Sequence, residues 1–266
     1  CFGDQQIFLP HVYRWCRRRR IPFVAYVGTA HSLDSNFKSK VMNALFAAGT
    51  LRIYKKNPVL AKTSAAKEEL RQLGVPHAVI APVGLDNAVL KKNIPADEKM
   101  RLRKEHGFEA DDVILCNVSR LSWEKRPLEL IDLFLQVKGK KKFKLIIVGN
   151  GPLEEELNEK IRKNGLEKEV KIYPNVPYEK MWEIYEMSDY YLNMNKGEIF
   201  GMAIMEAVYY KTSVAAIRAL GPSVTLKDMK GHKLCENDDE MAEWITGPYP
   251  SEKDLQIGRA SCRERV

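Results

Sequence analysis

Tyr190-Tyr-Leu-Asn-Met194 followed by Asn195-Lys-Gly-Glu-Ile-Phe-Gly-Met-Ala-Ile-Met-Glu-Ala207 is the stretch on which the reading of this chain turns. The first run is short and apolar, as a buried strand is. The second holds two glycines and then turns helical from about Gly201 to Tyr210. A strand, a glycine-containing turn and a helix in that order form the local unit of a parallel α/β ligand site. Glu198 lies in the turn and Glu206 in the helix, among Ile204, Met205, Ala207 and Val208. A carboxylate among such neighbours is costly to bury unless something pairs with it. A ligand with adjacent hydroxyls would pair with it, and the ribose of a nucleotide is the obvious candidate. The backbone N–H groups of the turn, at a helix N-terminus, suit an anion or polar oxygens.

Outward from this unit the alternation is regular. Strands are expected over 113–118, 143–148, 170–173, 189–194 and 212–217, with a short one near Lys233. Helices are expected over 127–137, 153–164, 178–187 and 201–210, with another over 239–245. Nearly all-apolar strands between helices mean a doubly wound parallel sheet. Upstream, helices are expected over 5–19, interrupted at Pro10, over 37–56, and after Ser64 as a cap. Strands are expected over 21–27, 59–63 and 77–81. A short helix over 97–106 ends at Gly107.

Three loops carry chemistry. The first is Ser119-Arg-Leu-Ser-Trp-Glu-Lys-Arg-Pro127, which joins a strand end to a helix. It places Arg120 and Lys125 in the crevice, where Arg grips a phosphate bidentately and Lys adds a mobile point charge. The second is Val148-Gly-Asn-Gly-Pro152, a Gly-x-Gly whose third fingerprint position is Glu154, so a dinucleotide-binding reading is weak. The third is Tyr173-Pro-Asn-Val-Pro177.

Taken together these segments resemble the retaining glycosyltransferases of family four, the glycogen-synthase-like "glycosyl transferases group 1", which have the GT-B fold. The E-x7-E spacing of Glu198 and Glu206, with Phe200-Gly201 and Glu206-Ala207, carries most of the resemblance. It departs from the family in having Asn195-Lys196-Gly197 where many relatives carry Pro-Ser. The resemblance implies an α/β fold of two Rossmann-like domains. Residues 1–85 would be the C-terminal part of the first, acceptor-side domain, with its early strands and Gly-rich loop missing. Residues 86–110 would connect the two, 111–247 would bind the nucleotide-sugar, and 248–266 would be a tail. It also implies roles. Arg120 and Lys125 would clamp the donor diphosphate, and Glu198 would contact the donor sugar near the reacting carbon. Glu206 would hold the ribose, and Gly149, Gly151 and Pro152 would line the nucleotide pocket. Backbone near Val176 would read the base, Ile199, Phe200 and Gly201 would form the donor turn, and Gly221 would border the sugar. His31, just past a strand end, would touch donor or acceptor or merely cap a turn. No Asp-x-Asp is present, and if Arg120 and Lys125 neutralise the diphosphate, no metal is needed and no cofactor is expected beyond the donor. A UDP-sugar is the expected donor, although backbone recognition offers no side chain to choose the base. The acceptor would be a glycan, a lipid-linked intermediate or a small molecule.

Composition sets limits on this reading. The chain has 266 residues, 45% of them hydrophobic, and a net charge of +8. The positive charge is clustered in Arg17–Arg20 and in the run Lys138-Gly-Lys-Lys-Lys-Phe-Lys144. No zinc-finger spacing or RNA-binding aromatic signature accompanies it, so nucleic acid is not expected as a partner. The arginine run would suit an anionic surface, such as a membrane face. The five cysteines form no C-x-x-C pair, which fits a reduced, cytoplasmic setting. No apolar run reaches membrane-spanning length. The chain begins at Cys1 in what reads as mid-helix, and 257–266 resembles translated sequencing-adaptor read-through, so a fragment is expected. Two rival readings stand beside the transferase: a donor-binding fragment without turnover, and a nucleotide-sugar epimerase of the same fold.

Overall fold

The computed structural model describes residues 8–28, 41, 44, 49–81, 84–85 and 90–255. The chain divides into two compact units, one up to Gly84 and one from Leu85 onward. Each is an α/β unit built on a parallel sheet.

In the first unit, β1 (Ala25–Val27), β2 (Val59–Ala61) and β3 (Val79–Ile80) lie in the order β1-β2-β3. Ala25 pairs with Val59 and Leu60 with Val79. The buried Ala25, Val27, Val59 and Ala61 pack with Leu9, Tyr54 and Leu70. Two local expectations are corrected here. Pro10 does not interrupt the first helix but lies in the first turn of Leu9–Arg18, where its missing N–H costs nothing. The next helix, Ser64–Gln72, is capped by Thr63 rather than Ser64: Thr63 has extended backbone and its Oγ1 accepts from the Ala66 amide at 3.0 Å.

The second unit carries a six-stranded sheet. Its strands are β4 (Val113–Val118), β5 (Phe143–Val148), β6 (Val170–Tyr173), β7 (Tyr190–Asn193), β8 (Ser213–Ile217) and β9 (Lys233–Cys235). All pair in parallel in the order β6-β5-β4-β7-β8-β9. The continuous apolar strands follow from burial on both faces. Leu115, Leu145, Ile147, Leu192 and Ile217 point into one core, under the helices Pro127–Val137, Glu154–Lys163 and Asp238–Thr246. Ile114, Cys116, Ile146, Val148 and Val214 point into the other, with Met181–Met187 and Met202–Tyr209. The chain runs outward one way from β4 through β5 to β6, then returns to place β7 on the other side of β4. Between β4 and β7 lies the point where the winding reverses, and in such sheets ligands bind at the carboxyl ends of the strands there.

The segment after β8 was expected only to hold a glycine bordering the site. It forms a short helix, Leu220–Thr225, that starts on extended Ala219. The lysine run at 138–144 is engaged on the surface of this unit. Lys138 pairs with Glu169 at 3.5 Å, Lys142 with Asp111, and Lys141 donates to the carbonyls of Ile245 and Gly247. In the first unit Arg17–Arg20 is exposed, with the Arg19 guanidinium 5.0 Å from the Trp15 ring. Among the described residues no helix is long and apolar enough to cross a membrane.

Candidate active site

The reversal point between β4 and β7 opens into a cavity of about 320 Å³. Asn117, Arg120 and Lys125 line it from the β4 side, Asn193, Asn195 and Glu198 from the β7 side, and Gly201 to Ala203 close it. Helix Met202–Tyr209 thus starts on the cavity. Its N-cap, Gly201, has φ +79°, and a Cβ there would come within 2.8 Å of Ile204 Cδ1. Glycine is required for this sharp entry, and the helix N-terminus favours negative charge in the cavity.

Lys125 Nζ donates to Glu198 Oε2 at 2.9 Å, and both side chains are mostly buried. Asn195 Nδ2 donates to the same oxygen at 3.1 Å. Burial pushes the Glu198 carboxyl up, but its bonds to Lys125 and to Asn195 and Asn193 outweigh that and hold it below its ordinary value. Arg120 stands exposed on the cavity wall. Arg126 is used elsewhere: at φ +55° it grips Asp238 through two bonds of 2.8 and 3.0 Å. Lys125, not Arg126, is therefore the lysine-or-arginine of this pair that reaches the cavity.

The two glycines of Gly149-Asn150-Gly151 lie behind this loop rather than on the cavity wall. A Cβ on Gly149 would meet the Ser119 carbonyl oxygen at 1.9 Å, and one on Gly151 the Leu121 carbonyl oxygen at 2.4 Å. The Leu121 amide donates to Asn150 O at 2.9 Å, and the Leu153 amide to Leu121 O at 3.0 Å. The glycines let the two strand-end loops pack backbone to backbone, which fixes the segment carrying Arg120 and Lys125. Asn150 Nδ2 also reaches Pro174 O and Asn175 Oδ1, joining this corner to the loop that holds the half-buried Val176. Gly221 supports the other side. Its amide donates to Glu198 O at 2.8 Å, and a Cβ on it would press within 2.6 Å of the Phe200 amide nitrogen.

The family model described as "Glycosyl transferases group 1" matches residues 98–246, more than half of the chain. The chain belongs to the group 1 glycosyl transferases. An uncharacterized glycosyltransferase of Methanocaldococcus jannaschii is 23% identical over 196 residues, 71% of this chain and 50% of that protein. The amylovoran biosynthesis glycosyltransferase AmsD of Erwinia amylovora is 34% identical over 112 residues, 42% of this chain and 31% of that protein. The chain thus spans from about a third to a half of the curated relatives it matches. Among solved structures, Anabaena HepE in complex with UDP superposes with a TM-score of 0.78 at 20% identity, over 99% of this chain and 73% of that one. Sucrose-phosphate synthase from Thermosynechococcus elongatus gives 0.76 at 16%, over 95% and 66%. The likeness establishes the fold as α/β of the GT-B kind, with Rossmann-like domains.

Within this group 1 chain, the expected site residues divide into three sets. Glu198, Arg120, Lys125, Phe200 and Gly201 meet at the cavity, with Ile199 in the turn between them. Gly149, Gly151, Pro152 and Gly221 stand behind it or at its edge. Glu206 is placed apart, in a small recess with Tyr178, Met181, Trp182, Tyr185 and Tyr210. Its carboxylate already has partners: Tyr185 Oη donates to Oε2 at 2.7 Å and Tyr178 Oη to Oε1 at 3.2 Å. The apolar helix therefore carries Glu206 without needing a ligand to satisfy it. Burial still pushes its carboxyl above the ordinary value against the pull of the two tyrosines. His31 lies outside the described residues. Asn117 and Asn193 were not singled out in the sequence, although they are the polar breaks near the C-terminal ends of otherwise apolar strands, and Asn195 was noted only as part of the departure from the family pattern. Among the described residues no cluster of His, Cys, Asp or Glu is arranged to hold a metal.

Proposed function

We propose that this chain is the donor-binding part of a retaining glycosyltransferase of family four. It would move a sugar from a nucleotide-sugar, in the first instance a UDP-sugar, to a glycan, lipid-linked or small-molecule acceptor without a metal. The observation that carries this reading is the Lys125–Glu198 pair at the sheet's reversal point, beside Arg120 and a helix N-terminus. In such a cavity Arg120 and Lys125 take up the charge that develops on the leaving diphosphate, the task a metal performs elsewhere. Glu198 orients the donor sugar near the carbon that reacts, and same-face attack assisted by the leaving phosphate retains the anomeric configuration. The turn at 198–201 cradles donor oxygens with backbone amides. Glu206 takes the ribose hydroxyls by exchanging the longer Tyr178 bond for them while Tyr185 stays in place. Backbone near Val176 meets the base. Anabaena HepE, of the same fold, was crystallised with UDP and with UDP-glucose, which favours uridine as the first base to test. A cytoplasmic setting, with contact at a membrane face through Arg17–Arg20, belongs to the same proposal.

The test is thermal unfolding with UDP, GDP and ADP, on the wild type and on Lys125→Ala and Glu206→Gln. A ligand that binds only the folded state at about 100 times its Kd adds about 2.7 kcal/mol. One nucleotide is expected to raise Tm, with the rise reduced in both variants. Equal rises in wild type and Lys125→Ala would remove the diphosphate clamp from the site.

A further inference from the structure

We infer that Asn195 is a positioning residue that holds Glu198 aimed at the donor; this rests on the donor-site reading above. Asn195 is 6% exposed, and every polar group it offers toward the turn is used. Its backbone amide donates to Asn193 Oδ1 at 3.0 Å, which ties the turn to the end of β7. Its Oδ1 accepts the Gly197 amide at 2.9 Å, closing an Asx-type turn that sets the backbone one residue before the glutamate. Its Nδ2 then donates to Glu198 Oε2, the oxygen that Lys125 also holds. An amide is the side chain suited to this place: one end must accept from the loop while the other donates to the carboxylate. Aspartate keeps the first and loses the second.

The consequence falls on one carboxylate. Oε2 is held by Lys125 and Asn195, and Asn193 adds its own bond to the carboxylate, so the glutamate is set in direction before a sugar hydroxyl meets it. Other charged or titratable groups around Glu198 are Arg120, across the cavity, and the buried Tyr191 beneath it. Neither replaces the Asn195 donor. A cation alone would neutralise the glutamate but would leave it free to swing with the lysine. The second donor, on a turn locked at both ends, fixes its direction.

The decisive measurement is the titration of the Glu198 carboxyl carbon in protein labelled with carboxyl-13C glutamate, assigned by its disappearance in Glu198→Gln. In the wild type it is expected to titrate below the ordinary glutamate range. Asn195→Ala, which takes the donor away without adding charge, is expected to move it upward by about one unit or more, the scale of one lost hydrogen bond to a charged group. Asn195→Asp, which keeps the Asx-type turn, is expected to move it further. In hydrolysis of UDP-glucose, with water accepting the glucosyl group and UDP leaving, Asn195→Asp is expected to lower kcat at least tenfold with KM for the donor within about threefold. A lowered Tm with the Glu198 titration unmoved in both variants would make Asn195 a structural residue only and overturn the inference. Failure of the donor-site reading looks different. The wild type would then show no nucleotide-dependent shift in Tm, whatever the titration gives.

Discussion

Two glutamates in one motif have been given opposite electrostatic settings. Glu198 has a lysine and two amides to offset its burial and lies below its ordinary value; Glu206 has two tyrosine hydroxyls and lies above it. Linkage turns this into stability of opposite sign. A carboxyl held low contributes stability that is present above its unfolded value and is lost as pH falls through the folded one. A carboxyl held high costs stability as pH rises from the unfolded value through the folded one. Glu198→Gln is therefore expected to match the wild type in acid and to become the less stable of the two as pH rises past the ordinary carboxylate range. Glu206→Gln is expected to start level and to gain on the wild type over the window just above that range. Urea denaturation of both variants at several pH values between about 3 and 7 checks this; parallel curves would mean that the two carboxyls share one environment. Only half of this contrast was legible in the sequence. The apolar surroundings of Glu206 were visible at helical spacing. Its partners Tyr178 and Tyr185 were not, because they come from the preceding βα unit and are brought to it only by the sheet.

At the scale of elements, the local sequence specified what local chemistry decides. The helix Pro127–Val137 and strands β4, β5 and β6 fall at the expected residues, because proline, a glycine-ended loop and unbroken apolar runs mark their limits. The short helix Leu220–Thr225 was missed, since Gly221 and Pro222 read as a loop until the Ile199–Phe200 backbone is packed against them. Gly149 shows the same gap between motif and geometry: its presence was legible, but its need is a tertiary one. This can be separated from simple backbone preference by comparing two glycines with positive φ. Gly139, at φ +85°, has open space where a Cβ would go, whereas Gly149, at φ +138°, faces the Ser119 carbonyl. Gly139→Ala is expected to cost about 1–2 kcal/mol, the left-handed penalty alone. Gly149→Ala is expected to cost clearly more and to displace the loop that carries Arg120 and Lys125, so nucleotide binding is lost with it. Chemical denaturation gives the first comparison and a nucleotide titration the second. Equal costs would mean that the close approach of the two loops is not what fixes the site.

For the whole molecule, the sheet order places the charged loops of the second unit around one cavity, while the first unit has its own core and a separate sheet. Alternating strands and helices announced the second unit's sheet, while the first was expected from its three short strands and the family resemblance. The position of the reversal was not readable from any one strand, since β4 and β7 become neighbours only through the order of winding. If the nucleotide is held by the loops that follow β4 and β7, its binding should deepen protection where those strands are anchored and leave the first unit's strands unchanged. Hydrogen exchange with and without saturating UDP provides the measurement, because local opening is slowed by ligand only in the cooperative region that binds it. Slower exchange is expected over β4, β7 and the start of Met202–Tyr209, with β1, β2 and β3 exchanging as before. Equal slowing in both units would mean that the nucleotide engages or rigidifies the first as well, and the donor site would then have to be drawn larger than the cavity at the reversal point. Slowing confined to β1–β3 would move the site out of the second unit altogether.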